Sequence, residues 1–344
     1  TGQLRMPVAN EMFDYRTYLL LGDTYATTTV KMSTKIGMKE SFWLTRFVRL
    51  VRTRLLQTIE NIYPGESAKL LSGLLIGERA DLSAETKTSF NNAGLTHIIA
   101  VSGFNITIIL IFLSFLFRSF PVSIKLSLAL ASIGFFTLLV GPQMSVLRAS
   151  VFGLLAYSIL LSGKRMRAFA LLVAIATGFV MMDPLILNYD VSFQLSFLAV
   201  FGLLFFGDRF NRIFAFFPRW FGLRDSLAMC FAALIFTLPI IVINFGRLSL
   251  IAPIANIAVV PLIPLIMLGG FVSMMVDLFS HTFATLIGFP TWLGLTYILR
   301  SVAFFGGLSH ASLGIDLGMY RSLFTAGYFL VMGFLVLFFH EERD

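Results

Sequence analysis

Cysteine occurs once in the 344 residues, as Cys230 in an apolar run, so no intrachain disulfide and no cysteine-based metal site can form. Charge is scarce as well: Asp, Glu, Lys and Arg make up 13% of the chain, against roughly a quarter in soluble proteins. The four histidines, His97, His281, His310 and His340, are scattered and fall in no H-x-H or H-E-x-x-H pattern. No metal and no cofactor is expected. A Gly-x-x-x-x-Gly-Lys-[Ser/Thr] loop is also missing, so nucleotide hydrolysis is not encoded and energy for any transport must come from elsewhere. The chain opens on Thr1 without a charged segment, apolar stretch and small-residue cleavage site, and neither terminus is taken as native.

Apolar residues are abundant instead. The set AVILMFWYC supplies 57% of the chain, against roughly 45–50% ordinarily, and 38 residues are Phe. With a mean hydropathy of +0.87, disordered, collagenous, coiled-coil and disulfide-scaffold classes are excluded. Nine membrane-spanning helices need about 180 residues at about 20 each. The composition provides them, since 57% of 344 is about 196. The expected fold is an all-α polytopic membrane protein of about nine transmembrane helices with broken or re-entrant segments.

Residues 1–40 have ordinary soluble composition, and Thr24 to Thr34 show β-branched alternation, which reads as the end of a small β module and its linker. In residues 41–62, Trp43, Phe47, Val51, Leu55 and Ile59 form one helical stripe and Arg46, Arg49 and Arg52 another, an amphipathic interfacial helix. Residues 63–344 form the membrane domain. Its first apolar patch, Leu70 to Gly77, is too short to cross a bilayer and reads as interfacial or re-entrant. Ser83 offers an N-cap and Gly94 a stop for a short polar helix. Spans are then expected at 97–117, 123–141, 145–163, 168–186, 190–207, 227–245, 258–278, 283–304 and 322–339. Pro253, Pro261 and Pro264 forbid one clean helix between Leu248 and Pro264, and broken backbone at membrane depth needs cover from protein or a water-filled cavity. No internal repeat stands out.

Basic residues fall in alternate loops: Arg118 and Lys125, then Lys164, Arg165 and Arg167, then Arg209, Arg212, Arg219 and Arg224. Loops 141–145 and 183–190 have none. The positive-inside rule makes the basic side cytoplasmic and leaves residues 1–96 outside. Arg46, Arg49, Arg52 and Arg54 then face the unfavoured side, which an anionic ligand or a wrong span count would explain.

The start of the first expected span, THIIAVSGFNITII from Thr96, is unusually polar, with His97, Ser102 and Asn105. Ser and Gly there can mediate close helix packing. Ala-Val-Ser-Gly is also similar to the Gly-x-Ser-Gly of intramembrane serine proteases, although in a regular helix His97 and Ser102 point about 140° apart, so His281 or His310 would have to be the base. Arg148, and Asp190 with Gln194 one turn later, lie in spans that start on the same side, so an Arg148–Asp190 pair is geometrically open, as a structural ion pair or as part of a functional site. Arg247 reads either as an interfacial anchor or as a phosphate contact.

Together these motifs resemble the ComEC-type competence proteins, inner-membrane channels for DNA uptake in bacterial transformation. The resemblance rests on Gly73 to Ile106 (GLLIGERADLSAETKTSFNNAGLTHIIAVSGFNI), Ser145 to Ser150 (SVLRAS), Asp183 to Leu204 and Leu238 to Leu265, in order and at similar spacing. Upstream, Phe13 to Asp23 resembles the linker after the family's OB-type module, of which residues 1–40 would be a short remnant. Phe104-Asn105 stands where many members have Leu-His, so a histidine role there does not transfer. The family's C-terminal metallo-β-lactamase-like domain is not found before Asp344, and nuclease activity is not expected of this polypeptide.

The resemblance implies a bacterial inner-membrane, multi-pass channel for single-stranded DNA. Its implied partners are membrane lipids, a DNA receptor outside and an ATP-driven motor inside, and a homo-oligomer is open. A DNA path needs basic groups at its mouth and small polar side chains within. Arg46, Arg49, Arg52 and Arg54 would contact DNA or anionic lipid; His97, Ser102, Asn105, Arg148, Asp190, Gln194, Arg247 and Asn256 would line the path. The alternatives are a transporter of a smaller anionic solute and an intramembrane serine hydrolase using Ser102.

Overall fold

The computed structural model describes residues 4–5, 27–28, 43–78, 82–99, 103–141, 143–162, 168–217, 223–315 and 318–340. At the N-terminus β1 (Leu4–Arg5) pairs antiparallel with β2 (Thr27–Thr28), Leu4 opposite Thr28. These four residues are all that is described of residues 1–40, and the linker Phe13 to Asp23 lies outside the described residues.

Helix α1 (Trp43–Ile62) carries the expected stripe, but the stripe divides along its length. Thr58 and Ile59 are buried, and Val51, Leu55, Leu56 and Ile62 pack against the core, whereas Trp43, Phe47 and Leu50 are exposed. Helix α2 (Gly65–Ile76) ends at Gly77, whose φ of 69° is the left-handed conformation that glycine adopts without a Cβ clash. At 12 residues, α2 rises about 18 Å. That is too short to span, in line with the sequence, and α2 is covered by protein instead: Leu70, Leu71, Leu74 and Ile76 are all buried. Helix α3 (Ala84–Asn92) is the short polar helix expected between Ser83 and Gly94. Ser83 Oγ accepts from Thr86 N, and Gly94 turns the chain with φ +71°.

Helices α4 (Thr96–Ile99), α5 (Gly103–Leu116), α6 (Val122–Val140), α7 (Met144–Leu161) and α8 (Ala168–Met182) follow, then α9 (Ile186–Tyr189) and α10 (Val191–Ile213). Helices α11 (Leu223–Phe245), α12 (Ala252–Val259), α13 (Ile263–Asp277), α14 (His281–Gly306) and α15 (Arg321–His340) complete the chain. Six helical segments among the described residues are long and apolar enough to cross a membrane: Val122–Val140, Met144–Leu161, Val191–Phe216, Arg224–Phe245, Ala252–Asp277 and His281–Gly306. The other three of the nine expected spans correspond to shorter apolar helices, Asn105–Leu116, Ala168–Met182 and Leu323–Phe334.

The span expected from His97 is described as α4 and as α5, whose 14 residues from Gly103 rise about 21 Å, and residues 100–102 between them lie outside the described residues. One expectation changes. The span expected at 190–207 continues to Ile213, so Arg209 and Arg212 sit on the helix rather than in a loop. The proline-rich stretch is broken as the sequence requires: α12 passes into a 3-10 turn at Val260–Leu262 around Pro261 before α13 starts.

The buried side chains form separate clusters. One joins α1 to α4 with α12, α13 and α14 around Tyr63, Phe90, Leu71 and Leu295. A second unites α5, α6 and α7 around Ile106, Ile133 and Val146, and a third holds α10, α11 and α15 around Phe206, Phe236 and Met332. In the third, a Cβ at Gly202 would lie 2.1 Å from the carbonyl oxygen of Ala232, so the α10 and α11 backbones touch there as small-residue membrane packing permits.

One end of the bundle is tied by polar groups far apart in sequence. Strand β3 (Arg247–Ser249) pairs antiparallel with β4 (Ser312–Gly314). Beside it Ser249 Oγ donates to Asn92 O (2.7 Å), and the Asn92 amide donates to Gly306 O (3.2 Å). The alternation read from loop charges places the ends of α3, α11 and α14 on one side, and these contacts agree with it.

Candidate functional site

Arg148 lies in the second turn of α7, on a helix with no other charged residue, and is only 3% exposed. A buried guanidinium must be neutralised and hydrogen-bonded. The partners come from the start of α10. Arg148 Nη1 donates to Asp190 Oδ2 at 2.8 Å, and Nη2 donates to Ser192 Oγ at 2.7 Å. The guanidinium carbon sits 5.7 Å from the centroid of the Phe193 ring, within cation–π range. Nε is buried without a hydrogen-bond partner among the described residues.

Asp190 is the N-cap of α10, in extended backbone conformation, and its other oxygen, Oδ1, accepts from Phe193 N at 3.0 Å. The carboxylate therefore stands between the positive end of the helix and the positive guanidinium and stabilises both. One turn on, Gln194 Nε2 donates to Leu187 O (2.9 Å) and Asn188 O (3.1 Å), fastening α9 to α10. Arg148, Asp190 and Gln194 thus come together, with Ser192 and Phe193, at the junction of α7, α9 and α10.

The other expected path residues lie elsewhere. Asn105 is 2% exposed and donates its amide to Leu74 O at 2.9 Å, satisfying a carbonyl in the last turn of α2 that has no helical partner. Asn256 donates to Ala252 O of its own helix at 2.8 Å. Arg247 is exposed at the start of β3, His97 is exposed on α4, and Ser102 lies outside the described residues. His281, one candidate base for Ser102, has Nδ1 2.8 Å from Asp277 Oδ1 at the end of α14 remote from α3. Of the arginine stripe, Arg46, Arg49 and Arg54 are exposed, while Arg52 pairs with Glu78.

Sequence reasoning missed Ser192 and Phe193, although their place just after Asp190 in the first turn of its helix was a usable signal. It also missed Glu66. The Glu66 carboxylate accepts from Ser83 N (2.9 Å) and Thr86 Oγ1 (2.6 Å), joining the start of α2 to the start of α3. Desolvation pushes its pKa up, but the hydrogen bonds from Thr86 and Ser83, with Lys69 nearby, outweigh that and hold it below its ordinary value. Two cavities, of about 410 and 340 Å³, lie along α14, and none of the expected path residues lines either one.

Comparison with known proteins adds the family. The profile of the family described as Competence protein matches residues 74–342. ComE operon protein 3 of Bacillus subtilis (strain 168) is 23% identical over 278 residues, covering 79% of this chain and 35% of that protein. Uncharacterized protein YcaI of Escherichia coli (strain K12) is 28% identical over 237 residues, 64% of this chain and 30% of its own length. The chain spans about a third of the length of these curated relatives. No solved structure matches it. The family match takes in the apolar helices α5 to α15 and both sides of the Arg148–Asp190 junction, and on that ground the chain belongs to the competence protein family.

Proposed function

We propose that this chain is the membrane-channel part of a DNA-uptake machine, passing single-stranded DNA across the bacterial cytoplasmic membrane during transformation. The observation that carries the reading is the competence-family match over residues 74–342, which covers nearly all the membrane helices. The buried Arg148–Asp190–Ser192 cluster supports it, because ionisable groups inside apolar helices are costly and are kept mainly where polar cargo passes or a wall must be fixed. In this reading Arg148, Asp190 and Gln194 hold the wall at the α7–α10 junction. Asn256, beside the helix break at Pro261, lies next to the path, and the exposed Arg46, Arg49 and Arg54 gather the strand. His97, Asn105 and Arg247 belong to the same outer half. A receptor outside and an ATP-driven motor inside supply capture and force, and no cleavage step is assigned to these residues.

The test is uptake of end-labelled DNA by cells in which the gene is deleted and then complemented. Surface capture is expected to persist in the deletion while delivery into the cytoplasm is lost, and Asn256→Leu is expected to block delivery without preventing membrane insertion. Normal delivery in the deletion strain would overturn the proposal.

A further inference from the structure

Helix α14 presents Leu286, Phe289, Leu293, Tyr297 and Phe304 as an exposed apolar stripe with helical spacing. α14 is long and apolar enough to span the membrane, and in that position an exposed stripe of this kind would meet lipid. Arg300 is exposed in the same stripe, six residues before the last helical residue Gly306, about 9 Å along the axis from it. A guanidinium in that place needs an anion or a way out to water. Among the described residues Arg300 has neither a hydrogen bond nor an ion pair.

The two cavities along α14 share Thr296 and Arg300. On one side of Arg300 the wall is apolar and aromatic, with Leu293, Tyr297 and Phe304. On the other side it carries carboxylates and hydroxyls: Glu66, Glu85, Thr86 and Ser89. Glu66 is committed to Ser83 and Thr86. Glu85 is exposed and, like Arg300, has no hydrogen bond or ion pair among the described residues. The groove therefore runs from an apolar end, past one free cation, to one free anion.

We infer that this groove binds a zwitterionic phospholipid whose headgroup ends in a primary ammonium. The phosphate lies on Arg300, the ammonium donates to Glu85, and an acyl chain follows Leu293, Tyr297 and Phe304. Charge selects this ligand. An anionic lipid would bring no cation for Glu85, and a nucleic-acid strand would set its phosphates against Glu66 and Glu85. A trimethylammonium headgroup has no N–H to donate to a carboxylate. The inference does not depend on DNA conduction.

The full chain in detergent is titrated with phosphatidylethanolamine, phosphatidylcholine and phosphatidylglycerol of matched acyl chains, and bound lipid is counted by native mass spectrometry. Phosphatidylethanolamine is expected to be retained about tenfold better than either other lipid, as one or two charge-assisted hydrogen bonds would give. Arg300→Ala is expected to lower that retention about tenfold, and Glu85→Gln to bring it down to the phosphatidylcholine level. Equal retention of the three lipids by the unmodified chain overturns the inference without any variant having to fold. So does a preference that survives both substitutions, or displacement of the lipid by a thymidine oligonucleotide.

Discussion

Asp190 does for two helices what most helix caps do for one: Oδ1 caps α10 through Phe193 N, while Oδ2 takes the proton-rich edge of Arg148 from α7, 42 residues earlier in the chain. Charge balance and helix initiation are therefore coupled in a single side chain. Neither partner can change without altering the environment of the other.

Removing the arginine should be the more damaging change. Arg148→Ala leaves a carboxylate without its counter-charge, and breaking a buried pair in this way costs about 3–5 kcal/mol. Asp190→Asn keeps an acceptor for Phe193 N, so combining it with Arg148→Met is expected to recover most of the loss. Thermal unfolding of the purified variants in detergent measures both. In cells, Arg148→Ala is expected to lower transformation more than Arg321→Ala at the start of α15, and equal effects would show that burial of Arg148 has no functional weight.

Asn105 offers a cleaner case of one hydrogen bond. Asn105→Leu keeps the branched shape, with somewhat larger ends, but deprives Leu74 O of its donor, at a cost of about 1–3 kcal/mol for an unsatisfied buried group. Asn105→Asp should do no better, since a carboxylate would face a carbonyl oxygen. Amide hydrogen exchange at residues 74–78 is expected to accelerate in both variants, with insertion into the membrane unchanged.

The α10–α11 contact at Gly202 has no room for a side chain. Gly202→Ala must separate the two helices or distort the Ala232 carbonyl, with an expected loss of about 1–3 kcal/mol, and Gly202→Val should lose more. Gly207, on the same helix with nothing within 4 Å of a built Cβ, is the matched control. Melting temperatures that fall equally at the two positions would contradict the close contact.

Acid should loosen the α2–α3 junction. Because the folded-state pKa of Glu66 lies below its ordinary value of 4.5, its contribution to stability is complete above that value and disappears as pH falls through the lower folded value. Proteolysis between α2 and α3, at residues 79–82, is expected to rise over that acidic window in the native chain. In Glu66→Gln the susceptibility should be nearly independent of pH there.

Much of this architecture is legible in the residues. Ser83 and Gly94 mark α3 by capping chemistry, the prolines mark the interruption at Val260–Leu262, and long apolar runs mark the six spanning segments. The extent of α10 is not legible, because its apolar run ends before Asp208 while the helix continues to Ile213, and charges on the last turns of a helix read like a loop. The Arg148–Asp190 pair is open to sequence reasoning because so few charges occur inside spans. Asn105 is harder: the same amide that could line a water-filled path can also cap a helix end, and only the position of Leu74 O decides between those uses.

The clasp formed by Asn92 also sets a timetable for assembly. Its amide reaches Gly306 O across 214 residues, and Ser312 Oγ reaches its side-chain oxygen across 220. At about 5–20 residues per second, the ribosome needs roughly 10–40 s after making α3 to deliver those partners. Until then the Asn92 end is held by Ser249 Oγ, 157 residues on, without its last two bonds. The end of α14 and the strand after it thus act as a closing seam, and a truncation before Gly306 would keep the Ser249–Asn92 bond while losing both bonds of the far side.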